Sequence, residues 1–369
     1  MAKKIFIAAT GQHCGKTTMS VALIHLLKKQ GYRVGFMKPV GQEFVEYKGL
    51  EIDKDAALMH ELFKMNDEVL DAVSPIVIKS KYTQDFLDGK ISNEEIETKI
   101  LQSAKKMDSL YDYIILEGTG HGGVGSVIGF NNAKVAAMLN AKVLLVCPGG
   151  IGNAIDRVHM NMALYEKYGS QLLAIMANKV LVDKREKIHK YLSKALNVFS
   201  ENILMGFDYV DQLSKPSFNQ IAKAFKADVR GDVEAAKELI LNTQIGAASS
   251  HRMSVILKEK SVLIIPGTRD DLIMSMASLY DIPKYKEKLV GLILTGEPSI
   301  SPVTQTILNN ASIPHFKINK TSIETLHKIK DFTSKLNSGE QEKLNLLFSL
   351  AEKMNDENKL IELIENEFN

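Results

Sequence analysis

The stretch 8-AATGQHCGKTTMS-20 decides the reading of the first half of this chain. It follows the apolar run Lys4-Ile5-Phe6-Ile7-Ala8-Ala9 and leads into a segment of helical periodicity. Its core, Gly15-Lys16-Thr17, matches the end of a phosphate-binding loop, G-x-x-x-x-G-K-[ST]. The pattern wants its first glycine where Thr10 stands, and the glycine comes one residue later, at Gly11. A loop between a buried strand and a helix N-terminus aims backbone N–H groups and the positive end of the helix dipole at an anion. Gly15 lets the backbone approach phosphates closely. Lys16 can reach β and γ oxygens, and the Thr17 hydroxyl can ligate Mg2+. Gly11, Gln12, His13, Cys14, Gly15, Lys16, Thr17 and Thr18 are therefore the candidate nucleotide-binding residues, His13 and Cys14 as spacers rather than reactive groups.

Outward from this loop, short apolar runs alternate with helical segments. Candidate strands are Lys4–Ala9, Arg33–Lys38, Tyr113–Glu117, Lys142–Cys147, Leu172–Ala177 and Asn202–Phe207. Continuous apolar runs of this length suit strands buried on both faces of a parallel sheet, so the expected class is α/β with a doubly wound parallel sheet. After Phe207 the texture becomes polar and turn-like. A second, smaller α/β pattern then begins, with strands Val262–Ile265, Leu289–Leu294 and His315–Ile318. Helices are expected near Asp270–Tyr280, Pro302–Asn310 and Ser322–Phe332. The tail Glu340–Glu367 reads as one helix with Leu344, Leu347, Leu350, Ala351 and Met354 on one face. The expected domains are residues 1–225 and 226–369, the tail helix belonging to the second.

A nucleoside triphosphate site needs metal ligands beyond the loop. Glu117 ends a strand in 111-YDYIILEGTGHGGVGS-126, and a glycine-rich loop follows it. Carboxylates at the C-terminal ends of neighbouring strands converge on the mouth of such a sheet. Asp55, in 51-EIDKDAALMHELF-63, is either a second ligand or an acid favoured by a helix N-terminus, with Asp53 competing as the cap. Lys38, in 36-FMKPVGQ-42, is placed to face a transferred phosphoryl group. Asn178, in 174-AIMANKV-180, could hydrogen-bond a nucleotide base. His121 is either a phosphate or substrate contact or a solvated loop histidine.

Composition narrows the partners. The net charge of +2 gives no bias toward nucleic acid or membrane lipid. The two cysteines, Cys14 and Cys147, make no metal or disulfide pattern. The N-terminal apolar run is too short for a signal peptide, and no stretch approaches the length of a membrane span. A cytoplasmic location without membrane attachment is expected. The partner beyond nucleotide is left open among a second copy of the chain, a small-molecule substrate and another protein.

With TGQHCGKTT, FMKPVGQ, DKDAALM, EGTGHGGVGSV, GGIGNAIDRV and NKV in the first half, and IGAASS, IIPGTRDD, LILTGE and SKLNSGEQEKL in the second, the chain resembles a known arrangement. It is similar to the dethiobiotin-synthetase-like (BioD-like) AAA-family ATPase domain at the N-terminus of long phosphotransacetylases, followed by a DRTGG-type domain. In that family the loop often reads T-G-x-x-x-G, which accounts for Thr10-Gly11. The resemblance implies ATP and Mg2+ as cofactors, with Lys16 and Thr17 on phosphate and metal. It further implies Asp55 and Glu117 completing the metal site, Lys38 facing the γ-phosphate and substrate, and Asn178 near the base. The chain departs from dethiobiotin synthetase at Ala9-Thr10-Gly11-Gln12 and at Lys38-Pro39-Val40-Gly41-Gln42, and from DRTGG proteins at Pro266-Gly267-Thr268-Arg269. The expected function is a Mg-ATP-binding P-loop protein, an ATP hydrolase with a regulatory or assembly domain, and not a phosphate acetyltransferase. The alternatives are a carboxylate-activating ligase of the dethiobiotin synthetase or cobyrinate diamide synthase type, and a structural module that binds nucleotide only to oligomerise. Arg269 is either an anion-binding residue of the second domain or an ion-pair partner of Asp270 or Asp271.

Overall fold

The run KKIFIAA forms strand β1 (Lys3–Ala9), buried from Lys4 onward. It lies inside a six-stranded sheet with β2 (Val34–Met37), β3 (Tyr113–Glu117), β4 (Lys142–Pro148), β5 (Leu172–Asn178) and β6 (Ile203–Met205). The strand order is β6-β5-β4-β1-β3-β2 and every pairing is parallel. The alternation of the sequence thus yields the α/β doubly wound architecture it promised. This is a computed structural model, and it describes residues 1–297, 300–332, 334 and 336–369. One residue of the 334–344 motif, Lys335, lies outside the described residues.

Helix α1 (Lys16–Lys29) leaves β1 through the loop at residues 10–15. Its buried face is Met19, Ser20, Val21, Ala22, Leu23, Ile24, Leu26 and Leu27. Lys28 and Lys29 occupy its last turn, where cations suit the negative end of the dipole. Helix α2 (Lys54–Leu62) is capped by Asp53, whose carboxylate accepts from the Asp55 N–H at 2.9 Å. Phe44–Tyr47 and Leu50–Asp53 pair antiparallel across Lys48-Gly49, both at positive φ, a two-residue hairpin turn.

The chain divides into two units, Met1–Val210 with Asn345–Asn369, and Asp211–Leu344. This differs from the expected division at both ends. Residues 345–369 belong to the first unit because their apolar face is buried in it: Leu347, Ala351, Met354, Leu360, Ile361 and Ile364 are all buried. Polar contacts agree. Tyr32 Oη donates to Glu365 at 2.7 Å, Lys142 pairs with Glu367 at 2.7 Å, and His25 stacks on Phe348 with ring centroids 4.2 Å apart. The tail is also two helices, Gln341–Asn358 and Leu360–Phe368, broken at Lys359 with φ 50°.

The second unit holds a four-stranded parallel sheet of β7 (Asn242–Ile245), β8 (Ser261–Pro266), β9 (Leu289–Thr295) and β10 (His315–Ile318), in that order. The edge strand β7, NTQI, is polar and half-buried, so it carries no apolar run for a sequence reading to find. Helices Asp270–Tyr280, Pro302–Ala311 and Ser322–Lys330 fall where periodicity put them.

Candidate phosphate-binding site

The loop at 10–15 is shaped by one conformational demand. Gly15 has φ 98°, and a Cβ there would stand 2.4 Å from Asn178 Nδ2. A side chain at position 15 is excluded twice, by backbone and by space. Gly11 has no such constraint: a Cβ there would meet only the Arg157 guanidinium, at 3.2 Å, and Cys14 Sγ, at 3.9 Å. Displacing the first glycine by one residue therefore does not disturb the part of the loop that needs glycine.

Lys16 starts α1 and turns its ammonium back over the loop. It donates to the Gly120 carbonyl at 2.8 Å and to Gly11 at 3.3 Å. Burial is the main influence on it and lowers its pKa, against the opposing pull of Glu117. Thr17, half-buried in the first helical turn, donates to Glu117 Oε1 at 3.0 Å. Thr18 follows it in the same turn, while Gln12 and His13 are exposed, His13 at φ 58°. Cys14 is buried, its Sγ 3.6 Å from the Gln12 carbonyl.

Register brings Glu117 into this corner. Ile7 of β1 lies opposite Glu117 at the end of β3, so the carboxylate emerges beside the loop that β1 feeds. Glu117 is 1% exposed and its second oxygen accepts from Ser20 at 2.7 Å. Lys38 is 4% exposed, just past the end of β2. Its ammonium donates to Glu117 Oε1 at 3.0 Å and to Asp55, with Asp53 Oδ1 at 4.0 Å. Burial acts first on Lys38 and would favour the neutral amine. The three carboxylates outweigh it and hold the group charged, well above its ordinary range. Burial pushes Glu117 up from the usual carboxylate value against the pull of Lys38, and does the same to Asp53. Lys38 is thus a charged group shared among acids, of which Glu117 and Asp53 protonate more readily than free carboxylates.

The structure therefore gathers Lys16, Thr17, Lys38, Asp55 and Glu117 at one end of the sheet. Asn178 belongs to the same corner in another capacity. Its Nδ2 donates to Cys14 O at 2.9 Å and its Oδ1 accepts from Phe207 N at 2.9 Å. One N–H and one lone pair of this amide thus hold the loop from below. Asp53 is the cap of α2, as the competing reading had it, and also faces Lys38. Sequence reasoning missed Ser20, whose signal was its place one turn beyond Thr17, and Arg157. His121 is exposed and lines a cavity of about 570 Å³ with Thr10, Gly123, Arg157, Met160 and Asn161.

The donors fit a hard divalent cation: a hydroxyl and carboxylates, all oxygen, at the end of a phosphate loop. No group of three or more His, Cys, Asp or Glu side chains forms a metal cage among the described residues. Mg2+ does not need one, because it keeps waters and shares one or two carboxylates with phosphate oxygens.

In the second unit Arg269 resolves to the ion-pair alternative. Its Nε and Nη2 bind Asp271 at 2.8 and 2.9 Å, which holds that exposed carboxyl down to about 2.

The chain is 24% identical over 376 residues to a phosphate acetyltransferase of Nitratidesulfovibrio vulgaris, covering 98% of this chain and 51% of that protein. It is 25% identical over 182 residues to the ATP-dependent dethiobiotin synthetase BioD of Clostridium acetobutylicum, covering 47% of this chain and 74% of that one. The chain spans about half the length of the phosphate acetyltransferases it matches. Among solved structures, the septum site-determining protein MinD of Pyrococcus horikoshii, complexed with Mg-ADP, aligns with a TM-score of 0.34 and 14% identity, over 58% of this chain and 84% of that one. No helix among the described residues is long and apolar enough to cross a membrane. Residues 3–240 match the AAA domain AAA_26 and residues 220–332 match the DRTGG domain, so the chain belongs to the AAA_26 family, a BioD-like P-loop domain followed by a DRTGG domain.

Proposed function

We propose that this chain binds Mg-ATP at the phosphate loop, hydrolyses it, and reports its nucleotide state through the DRTGG unit. The observation that carries the reading is the sharing of Glu117 by Thr17 and Lys38, each at 3.0 Å, beside Gly15-Lys16. Lys16 and the loop N–H groups would hold the phosphates. Thr17, Asp55 and Glu117 would hold the metal, which when bound neutralises phosphate charge. Lys38 would face the terminal phosphoryl group, kept cationic by its acids.

Replacing Glu117 with Gln retains its shape and removes its charge. The expected result is ATP binding or turnover that depends less on Mg2+, since a hard cation favours anionic oxygen. Calorimetric titrations with ATP in Mg2+ and in chelator, on both proteins, read this directly. An unchanged Mg2+ dependence would leave Glu117 a structural acid.

Reporting to the second unit has a concrete starting point. Lys16 has three N–H donors, and Gly11 and Gly120 use two of them. A phosphate that takes the ammonium competes with the Gly120 carbonyl, and so changes how the glycine loop is held. A ligand shifts only an equilibrium whose two states it binds unequally. Hydrogen exchange with and without Mg-ATP should show altered protection at residues 118–127 and within 264–297. Change confined to the first unit would remove the regulatory part of the proposal and leave a self-contained enzyme.

A second reading, an ATP-dependent ligase activating a carboxylate, is favoured by the cavity lined by Thr10, His121 and Arg157. The exposed Arg157 guanidinium is suited to a carboxylate. ATP turnover measured with and without a panel of carboxylates and amines separates the two readings: stimulation by one of them supports the ligase.

A further inference from the structure

We propose that the DRTGG unit carries its own binding site for a phosphorylated small molecule, in a cavity lined by Arg230, His315, Lys317 and Lys320. This goes beyond the phosphate-loop reading and stands independently of it. The cavity holds about 560 Å³, within the range that encloses ligands of nucleotide size. Lys226 and Lys328 also line it, and the sole carboxylate among the described lining residues is Asp228. The rim is made by the end of β10 and the turn after it, which present Lys317, Asn319 and Lys320, and by the segment 225–230. The backbones of Arg230 and His315 are hydrogen-bonded to each other at 2.8 and 2.9 Å, which fixes the two walls together.

The second observation lies beneath the cations. His315 is 2% exposed, and its Nε2 finds no hydrogen-bond partner among the described residues. Its Nδ1 lies 2.9 Å from the Ile313 carbonyl. A carbonyl only accepts, so Nδ1 carries the proton and Nε2 is left as a buried acceptor. Burial lowers the imidazole's pKa and keeps it neutral. An unsatisfied buried acceptor costs free energy unless something donates to it. A ligand with phosphate oxygens for the cations and a hydroxyl or amino group for Nε2 meets both requirements. Lys328 gives a donor to the Ala224 backbone carbonyl at 2.6 Å, which satisfies geometry without supplying negative charge.

The test is hydrogen exchange on the full chain during titration with inorganic tripolyphosphate and, separately, with ADP. The proteins are the wild type, the Lys16→Ala variant and the triple variant Arg230→Gln, Lys317→Gln, Lys320→Gln. Thermal melting checks that the triple variant is folded, and a version replacing Lys317 and Lys320 alone serves if it is not. The proposal expects saturable protection at residues 225–230 and 315–320 in the wild type and in Lys16→Ala. It expects apparent affinity at least about tenfold weaker in the triple variant, because charge-assisted hydrogen bonds are lost. ADP, which offers donors to His315, should protect these segments at lower concentration than phosphate chains of equal charge. Protection there that survives unchanged in the triple variant overturns the proposal. So does protection confined to residues 10–17 and 117–125.

Discussion

Lys38→Met should lower the stability of the first unit by about 3–5 kcal/mol, the cost of breaking a buried ion pair from one side. The lysine is 4% exposed and its ammonium serves Glu117, Asp55 and Asp53. Methionine fills much of the same volume and leaves the carboxylates facing one another. The sign of the pH dependence follows. Burial already raises Glu117 and Asp53 above their ordinary values, and losing the cation raises them further. A carboxyl with a folded pKa above its unfolded one binds more proton when folded. Its favourable contribution is complete below the unfolded pKa and is lost as pH rises through the folded one. The deficit of the variant should therefore be largest near neutrality and shrink as the solution enters the carboxylate range. Adding Glu117→Gln should recover part of it, since a neutral amide needs no cation. Urea unfolding of the three proteins at neutral and mildly acid pH is the measurement. A Lys38→Met protein as stable as the wild type near neutrality would show that the ammonium is not what holds these acids together.

Lys16→Ala should weaken ATP binding at least about tenfold, or 1.4 kcal/mol. In the proposed site the lysine is the cation that the loop would offer to the phosphates. Its present partners, Gly11 and Gly120, are neutral carbonyls that a phosphate outcompetes. Stability should change little by comparison, because Lys16 is only half-buried and leaves no carboxylate stranded. Calorimetry gives the affinity and thermal melting the stability. Equal ATP affinity in the variant would remove the phosphate-loop assignment. A large loss of stability with it would instead make Lys16 a strut between the two loops.

What the sequence by itself determined was whatever is contiguous in the chain. β1, the loop and α1 follow one another within 27 residues, from Lys3 to Lys29, and every signal for them is local: an apolar run, Gly-Lys-Thr, then helical spacing. The buried strands of both sheets are legible for the same reason, since burial on both faces writes a continuous apolar run; the polar edge strand β7 is not. Glu117, Lys38 and Asp55 could each be singled out as a charged residue next to a strand end or helix start. Their common ion cluster could not, because it depends on β3 and β2 lying side by side, with Val34 opposite Tyr113. Tertiary structure alone decided that Asn178 braces the loop, since β5 ends two strands away from β1. It also decided that Arg269 closes on Asp271 and that the tail returns to the first unit. An amphipathic helix states in its sequence that one face must be buried; it does not state against what. That partner is chosen by complementary surface across more than 300 residues of chain, as where Phe348 meets His25 and Glu365 meets Tyr32.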